Sequence, residues 1–245
     1  MRKLLPLSLA SALVGSSLMG LSPLGSEPAW ALSDEAIVTK LQQVPVFIIL
    51  NAEGQPLTAA AENDAAEEMK VPVVFIDGET AASFLSGAQA EDGSAQVALV
   101  DLGTLYEETI LNEEEPTPLL YFPNDEEVEA ATSLESDFRG VPLFIARQGT
   151  DGPYLTINEE DGEASLPMFF SRDDLQTLLD RYAETNADAV EEISVQVLSL
   201  EWLLNAMLEN DDPELDAQLE QIRLFPSTEV LDYIRSQQEG TTEGQ

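Results

Sequence analysis

The chain contains no histidine and no cysteine, and only 10 of its 245 residues are Lys or Arg. The two zeros exclude Ser-His and Cys-His catalysis, zinc fingers, disulfides and thiolate-held iron–sulfur clusters. Ten cations stand against 47 acids, giving a formal net charge of −37 and a pI near 4.1. That balance leaves too little positive charge to track phosphates, so nucleic acid is not an expected partner. Anionic lipid headgroups would be repelled by the same field. Nucleophile-elbow, dinucleotide and phosphate-loop glycine patterns are missing as well. No cofactor and no metal are expected. Hydrophobic residues nonetheless make up 44% of the chain, enough to build a core.

What remains for chemistry is carboxylate. Val100-Asp101-Leu102-Gly103-Thr104 faintly resembles an aspartic-protease Asp-Thr-Gly, but that mechanism needs two acids sharing a proton. The matching place later in the chain, Leu198-Ser199-Leu200, has no acid. Asn158-Glu159-Glu160-Asp161-Gly162 and Asp211-Asp212 lack the alternating ligands and closing Glu of a calcium hand. The expectation is a protein that is not an enzyme. A periplasmic hydrolase using carboxylates alone is the alternative, although nothing singles out two acids for it.

Arg2 and Lys3 precede an apolar stretch from Leu4 to about Leu21, and Ala29-Trp30-Ala31 supplies a small-x-small cleavage pattern. This order reads as a secretory signal over residues 1–31. The later chain has no apolar run long enough to span a bilayer, so stable membrane insertion is not expected. The periplasm is the expected destination, with the thylakoid lumen as the other.

The remainder repeats itself. Val44-Pro45-Val46-Phe47 returns as Val141-Pro142-Leu143-Phe144, and Val71-Pro72-Val73-Val74-Phe75 as Leu166-Pro167-Met168-Phe169-Phe170. Paired apolar residues Phe84-Leu85 match Leu178-Leu179, and Val97–Val100 matches Val195–Leu198. Leu102 and Leu105 match Leu200 and Leu203, and Tyr121-Phe122-Pro123 matches Leu224-Phe225-Pro226. Six anchors in the same order, at offsets of about 94 to 103 residues, mark an internal duplication. It aligns Pro72 with Pro167, and so places Val74 opposite Phe169.

Each copy reads as Pro-led strand, turn, second strand, another Pro-led strand, helix, strand, short helix, a last strand ending at Phe-Pro, and a closing helix. Ala59 to Met69 reads as a short Ala/Glu-rich helix, whereas Glu159–Gly162 reads as a hairpin turn. Ser171 before Arg172-Asp173-Asp174 is a helix cap with acids in the first turn. Ser33 to Gln43 forms an extra amphipathic helix. The fold class is mixed α/β, with two pseudo-symmetric repeats, each a small sheet covered by helices. The halves span 32–140 and 141–238, closely packed, with a flexible tail over 239–245.

Phe47-Ile48-Ile49-Leu50 and Met168-Phe169-Phe170 are apolar at consecutive positions, which puts apolar side chains on both sheet faces. If helices covered one face, the other would offer an apolar groove. Phe47, Phe75, Phe144, Phe169 and Phe170 are therefore core residues by one reading and client-binding residues by the other. Tyr121 and Trp202 are the amphipathic side chains expected at the rim.

The paired Val-Pro motifs, Phe122-Pro123, Gly140–Phe144, Pro167–Leu175 and Phe225-Pro226 together resemble the twenty-two-kilodalton component family of the chloroplast inner-envelope translocon. The resemblance implies two pseudo-symmetric α/β halves with apolar surface pockets, in a soluble protein between two membranes. In plants it implies a role in preprotein passage across the chloroplast intermembrane space. In cyanobacteria it implies a periplasmic chaperone-like factor in outer-membrane biogenesis, near the barrel-assembly machinery, with unfolded or translocating proteins as partners. High acidity and Val74 opposite Phe169 are this chain's departures from the pattern. N-terminal sequencing of the exported protein is expected to begin at Leu32, and recovery of Met1 on most of it would remove the cleaved leader.

Overall fold

A strand that is apolar at every position has two faces to bury, and that requirement organises this molecule. The computed structural model describes residues 32–62, 68–91, 93–111, 116–150, 152–158, 162, 164–184, 192–210 and 212–242. The leader and most of the Glu159–Gly162 turn lie outside them. Helix α1 (Asp34–Leu41) leads into β1 (Pro45–Leu50), β2 (Thr58–Glu62), β3 (Glu68–Phe75), α2 (Gly78–Glu91) and β4 (Gln96–Asp101). Helix α3 (Leu102–Tyr106), a π-helical turn (Glu107–Leu111), β5 (Leu120–Phe122) and α4 (Asp125–Leu134) follow. The second set is β6 (Pro142–Gln148), β7 (Ile157–Asn158), β8 (Ala164–Phe169), α5 (Arg172–Ala183), β9 (Ile193–Ser199), α6 (Leu200–Leu208), α7 (Pro213–Gln221), β10 (Ile222–Phe225) and α8 (Thr228–Thr242).

The strands form two five-stranded sheets, β2-β3-β1-β4 with β5 also on β3, and β10-β8-β6-β9 with β7 also on β8. Pairing is antiparallel except for β3 with β5 and β8 with β10. Side chains alternate strictly between two environments. Val46, Ile48 and Val74 from the first sheet, with Ile76 just past β3, share one core with Leu143, Ile145 and Met168 from the second and Phe170 just past β8. Helices α1, α3, α6 and α7 contribute Leu41, Leu102, Leu203 and Leu219 to the same core. The opposite faces form separate clusters, Phe47, Ile49, Val73 and Phe75 in one, Phe144, Ala146 and Phe169 in the other. Each such side chain contributes about 1.5–3 kcal/mol on full burial.

The helices that close the outer faces are exchanged between the halves. Helix α4 follows the first sheet but buries Ala131 in one cluster with Phe144 of the second sheet and Leu175 of α5. Helix α8 ends the second half, yet its Val230 and Tyr233 pack on the first sheet. The Tyr233 ring meets Phe47 edge-on at 5.4 Å. A Cβ at Gly78 would collide with that ring, so a residue without one lets α8 reach the start of α2. Helix α1 also crosses over: Lys40 Nζ donates to the carbonyls of Glu220 and Ile222 at 2.7 and 3.0 Å. The halves are intimately packed, as expected.

Register refines the duplication. Phe47 pairs with Phe75 and Phe144 with Phe169, and the rings of Phe75 and Phe169 lie beside Phe122 and Phe225 respectively. Phe75 thus corresponds to Phe169 and Val74 to Met168. The alignment of Pro72 with Pro167 is one residue out, and the supposed Val74 departure disappears. The prolines lie in like strands all the same. Pro45 and Pro142 do correspond, facing Asp101 and Ser199. The start of each following helix corresponds too, since Leu102 N–H donates to Val44 O at 2.9 Å and Leu200 N–H to Val141 O at 2.8 Å. Gly140 (φ +93°) turns the chain between the sheets, where a side chain would strike the Glu201 carboxylate that accepts from Val141 N–H.

Two local expectations fail. The described parts of Ala59 to Met69 are strand and not helix: Ala59–Glu62 lies in β2 and Glu68–Met69 in β3, paired Ala59 to Val71 and Ala61 to Met69. Backbone pairing next to a buried strand outweighs the few tenths of a kcal/mol per residue of Ala helix preference. The first copy is therefore a hairpin, like the second. The segment expected to open the flexible tail is helical, as α8 continues to Thr242; residues 243–245 lie outside the described residues. Among the described residues no helix is long and apolar enough to cross a membrane. If the exchanged helices bind the halves into one cooperative unit, Tyr233→Ala should cost about 1–2 kcal/mol. Fluorescence of Trp202, which lies beside the second sheet whereas Tyr233 packs on the first, should then shift together with circular dichroism in one denaturant transition. Two transitions, with that of Trp202 unmoved, would show independent halves.

Candidate functional site

The sequence-predicted client-binding residues separate into two groups. Phe47, Phe75, Phe144, Phe169 and Phe170 are all buried, at 7% exposure or less. Among the described residues no open sheet face exposes them, because helices close the outer faces and the two inner faces share one core. All five rings belong to the cores, and Phe47 also lines a cavity beside β4. Tyr121 is half-buried in the shared core. Burial, then the neighbouring Tyr106 and Glu201, push its hydroxyl pKa well up. Tyr106 is raised to about 12, mainly by burial. Trp202, by contrast, is 49% exposed, held at the start of α6, where its N–H donates to the Ser199 hydroxyl at 3.1 Å.

Apolar surface is found instead at the sides of the sheets. Strand β4 pairs only with β1, and β9 only with β6, among the described residues. Beside β4 lies a cavity of about 490 Å³ lined by Phe47, Val97, Leu99, Tyr233 and Ile234, with Gln237 and Gln238 at its mouth. Leu99 there is 48% exposed. Beside β9 lies one of about 410 Å³, formed by Phe138, Tyr154, Val197, Leu198 and Trp202, with Glu135, Asp137 and Arg139 around it. Tyr154 is steadied by the Arg147 guanidinium, 4.8 Å from its ring centre. Sequence reasoning missed Leu99, Phe138 and Val197 as site residues. The only signal was that Val97 and Leu99 share a parity, as do Val195 and Val197. Which strands end a sheet depends on pairing between distant segments.

A third concavity, of about 610 Å³, is polar, and lies between the starts of α2 and α4 and the first turns of α8. Two of its side chains, Asp77 and Asn124, act as helix caps. Asp77 accepts from Glu79 and Thr80 N–H at 3.1 and 2.9 Å, and Asn124 accepts from Glu126 N–H at 2.8 Å. Close by, Glu127 accepts from Arg172 N–H at 3.0 Å, and Asp174 from Thr228 N–H at 2.7 Å. Each carboxylate lies where the helix dipole favours it, while repelling the others. Glu229 has its pKa raised by burial, then by Glu126, Asp77, Glu79 and Asp174. Glu127 is raised chiefly by burial, against the Arg172 hydrogen bond that lowers it. Asp101, the acid of the protease-like motif, likewise caps α3, accepting from Thr104 N–H at 2.8 Å and its hydroxyl at 2.9 Å. Among the described residues, no group of three or more acids could hold a metal ion.

A model of the Tic22-like family matches residues 10–236 of the chain. Among solved structures, Anabaena Tic22, described as protein transport, is similar at a TM-score of 0.68 and 26% identity. The match covers 84% of this chain and 97% of that one. Tic22 from Plasmodium falciparum is similar in fold, with a TM-score of 0.58, 20% identity and coverage of 83% and 98%. No curated protein matches the sequence.

The acidic crevice makes a signed prediction. A carboxyl raised above its ordinary value binds its proton more tightly in the folded state, so the charged form weakens the fold at neutral pH. That penalty lifts as pH falls through the raised value, and is gone below the unfolded value of about 4.3. Glu229→Gln should therefore raise the melting temperature at neutral pH, with a gain that shrinks to nothing near pH 4. An unchanged or lowered neutral-pH melt would contradict the repulsion.

Proposed function

The chain belongs to the Tic22-like family, and on that premise we propose that it is a non-catalytic, chaperone-like factor for proteins in transit between two membranes. Protein transport is the description carried by Anabaena Tic22. In this chain we assign that role to holding extended apolar segments during passage through the periplasm, reached by way of the N-terminal leader. The delivery point we propose is the barrel-assembly machinery at the outer membrane. One observation carries this reading: two grooves with apolar side chains in their lining lie beside strand edges that no other strand pairs among the described residues, on a body of charge −37.

The energetics suit capture and release. Two or three side chains buried in one groove gain about 1.5–3 kcal/mol each. Lost translational and rotational freedom costs about 4–15 kcal/mol. Each groove alone is therefore a weak binder. Two on one body raise avidity for a long unfolded chain without making any single contact slow to release. The charge keeps the loaded factor soluble.

The test is light scattering of an unfolded outer-membrane barrel protein, without nucleotide or metal. Wild-type protein should suppress the aggregation. Leu99→Ser with Trp202→Ser should lose most of that effect while leaving the melt within about 0.5 kcal/mol, since both side chains are half exposed. Suppression absent from the wild type would remove the proposal. So would a double variant as active as the wild type, or turnover of a hydrolase substrate with a bell-shaped pH profile.

A further inference from the structure

The two sides of β9 differ in what they bond to. On one side it pairs with β6 from Pro142↔Ser199 to Gln148↔Ile193. Bonds from Leu200 N–H to Val141 O and from Gly149 N–H to Glu192 O close the ladder at its two ends. In an antiparallel pair hydrogen-bonded positions alternate with non-bonded ones, so these two bonds fix the phase. Leu198, Gln196 and Ser194 direct their backbone groups at β6. Ile193, Val195 and Val197 direct theirs away from it. The same phase on β6 sends Ala146 and Gln148 outward, where both are used: Leu155 N–H donates to Ala146 O, and Gln148 N–H to Pro153 O. Among the described residues no strand takes the outward groups of β9.

This edge also lacks the usual protection. Its sequence, Ile-Ser-Val-Gln-Val-Leu-Ser, contains no charge, proline or glycine, the devices by which exposed edges avoid further pairing. Other strands at sheet margins are shorter or charged: β5 has 3 residues, β10 has 4 including Arg223, and β4 ends in Asp101. The groove beside β9 draws on both faces of the strand, Val197 from one and Leu198 from the other, between Phe138 and Trp202.

We infer that the β9 edge receives an extended polypeptide as an added strand, one with alternating apolar and polar residues and basic residues at its ends. The inference rests on the holding role proposed for the same groove and specifies how the segment is held. Backbone bonds to Ile193, Val195 and Val197 supply sequence-independent attachment, and every second side chain enters the groove. The charge requirement follows from Glu135 and Asp137, two acids against the one cation Arg139 beside the groove, and from the net −37, which draws in basic flanks and repels acidic ones. A second copy of this chain would bring another −37 to the same edge, so self-pairing is disfavoured.

The experiment measures binding of a fluorescent peptide of alternating Val and Thr with Lys at both ends. Two analogues are N-methylated at alternate residues, in opposite phases. Strand addition predicts that one phase weakens binding about tenfold or more while the other stays within about twofold, because only every second N–H faces β9. Equal effects of the two phases would overturn it. Val195→Pro removes an outward donor without touching a β6 bond, and should weaken the unmodified peptide by a similar factor with an unchanged melt; if that variant melts early, the methylated peptides still decide. Glu-flanked peptide should bind less tightly, with the difference closing at high salt. Sedimentation showing a dimer abolished by Val195→Pro would overturn the inference in favour of self-pairing. Wild-type protein that suppresses aggregation but shows no phase dependence would refute strand addition and keep the holding role. Wild-type protein that neither suppresses aggregation nor binds would refute both.

Discussion

Everything in this molecule follows from strands that are apolar on both faces. Phe47 and Ile48 are neighbours in sequence and both are buried, yet they point into different cores. The same holds for Leu143 and Phe144. A single small sheet with one helical layer would leave half of these side chains in water, at about 25 cal/mol per Å². The duplicated chain meets the requirement by turning both inner faces toward one core and lending its closing helices across. Neither half has a complete cover of its own: Val230 and Tyr233 belong to one half and Phe47 to the other. What stays open is the direction the helices leave free, the lateral edges of β4 and β9.

Acidity is accommodated where the backbone welcomes it. Ser33, Asp101, Asn124, Ser171, Ser199 and Asp212 each cap a helix through a side-chain oxygen. Acids occupy the first turns of α1, α4, α5 and α7, where each gains roughly 0.3–1 kcal/mol from the dipole. The limit of the device appears where several helix starts meet, since Glu229 and Glu127 then hold their protons more tightly than free carboxyls. Helix-start chemistry thus governs the acidic crevice as fully as apolar burial governs the grooves.

Legibility in the sequence followed the range of the interaction. The Ser171 cap, the strands opened by Pro45 and Pro142 and the paired Phe-Pro endings are local and were readable. The slip of one residue at Pro72 has a physical cause. Register is read from the alternation of apolar and polar residues, and Val71-Pro72-Val73-Val74-Phe75 offers none, because both its faces are buried. Only the partner rings, Phe122 and Phe225, fix it. The Ala59–Met69 segment failed for a related reason: its pairing partner decided its conformation, and its own propensity did not. Helix exchange and sheet edges depend wholly on distant segments, so of the five phenylalanines only Phe47 lines a groove, and Leu99, Phe138 and Val197, which the sequence does not single out, help to form the two.

The edges left open by this architecture carry a hazard that the charge answers. An uncharged strand such as β9 invites pairing with any extended chain, including its own copies and exposed strands of other proteins. Most soluble proteins place a Lys or Pro on such an edge, which would also block a client. Here the deterrent is moved off the strand and onto the body: a charge of −37 acts between two copies wherever they approach, while β9 itself stays chemically neutral. Screening limits the deterrent to about 8 Å at physiological ionic strength, which is the range over which two edges would have to meet. Under the strand addition proposed above, discrimination between self and client would rest on the sign of the charge flanking the incoming strand, and the backbone bonds could remain indifferent to its sequence.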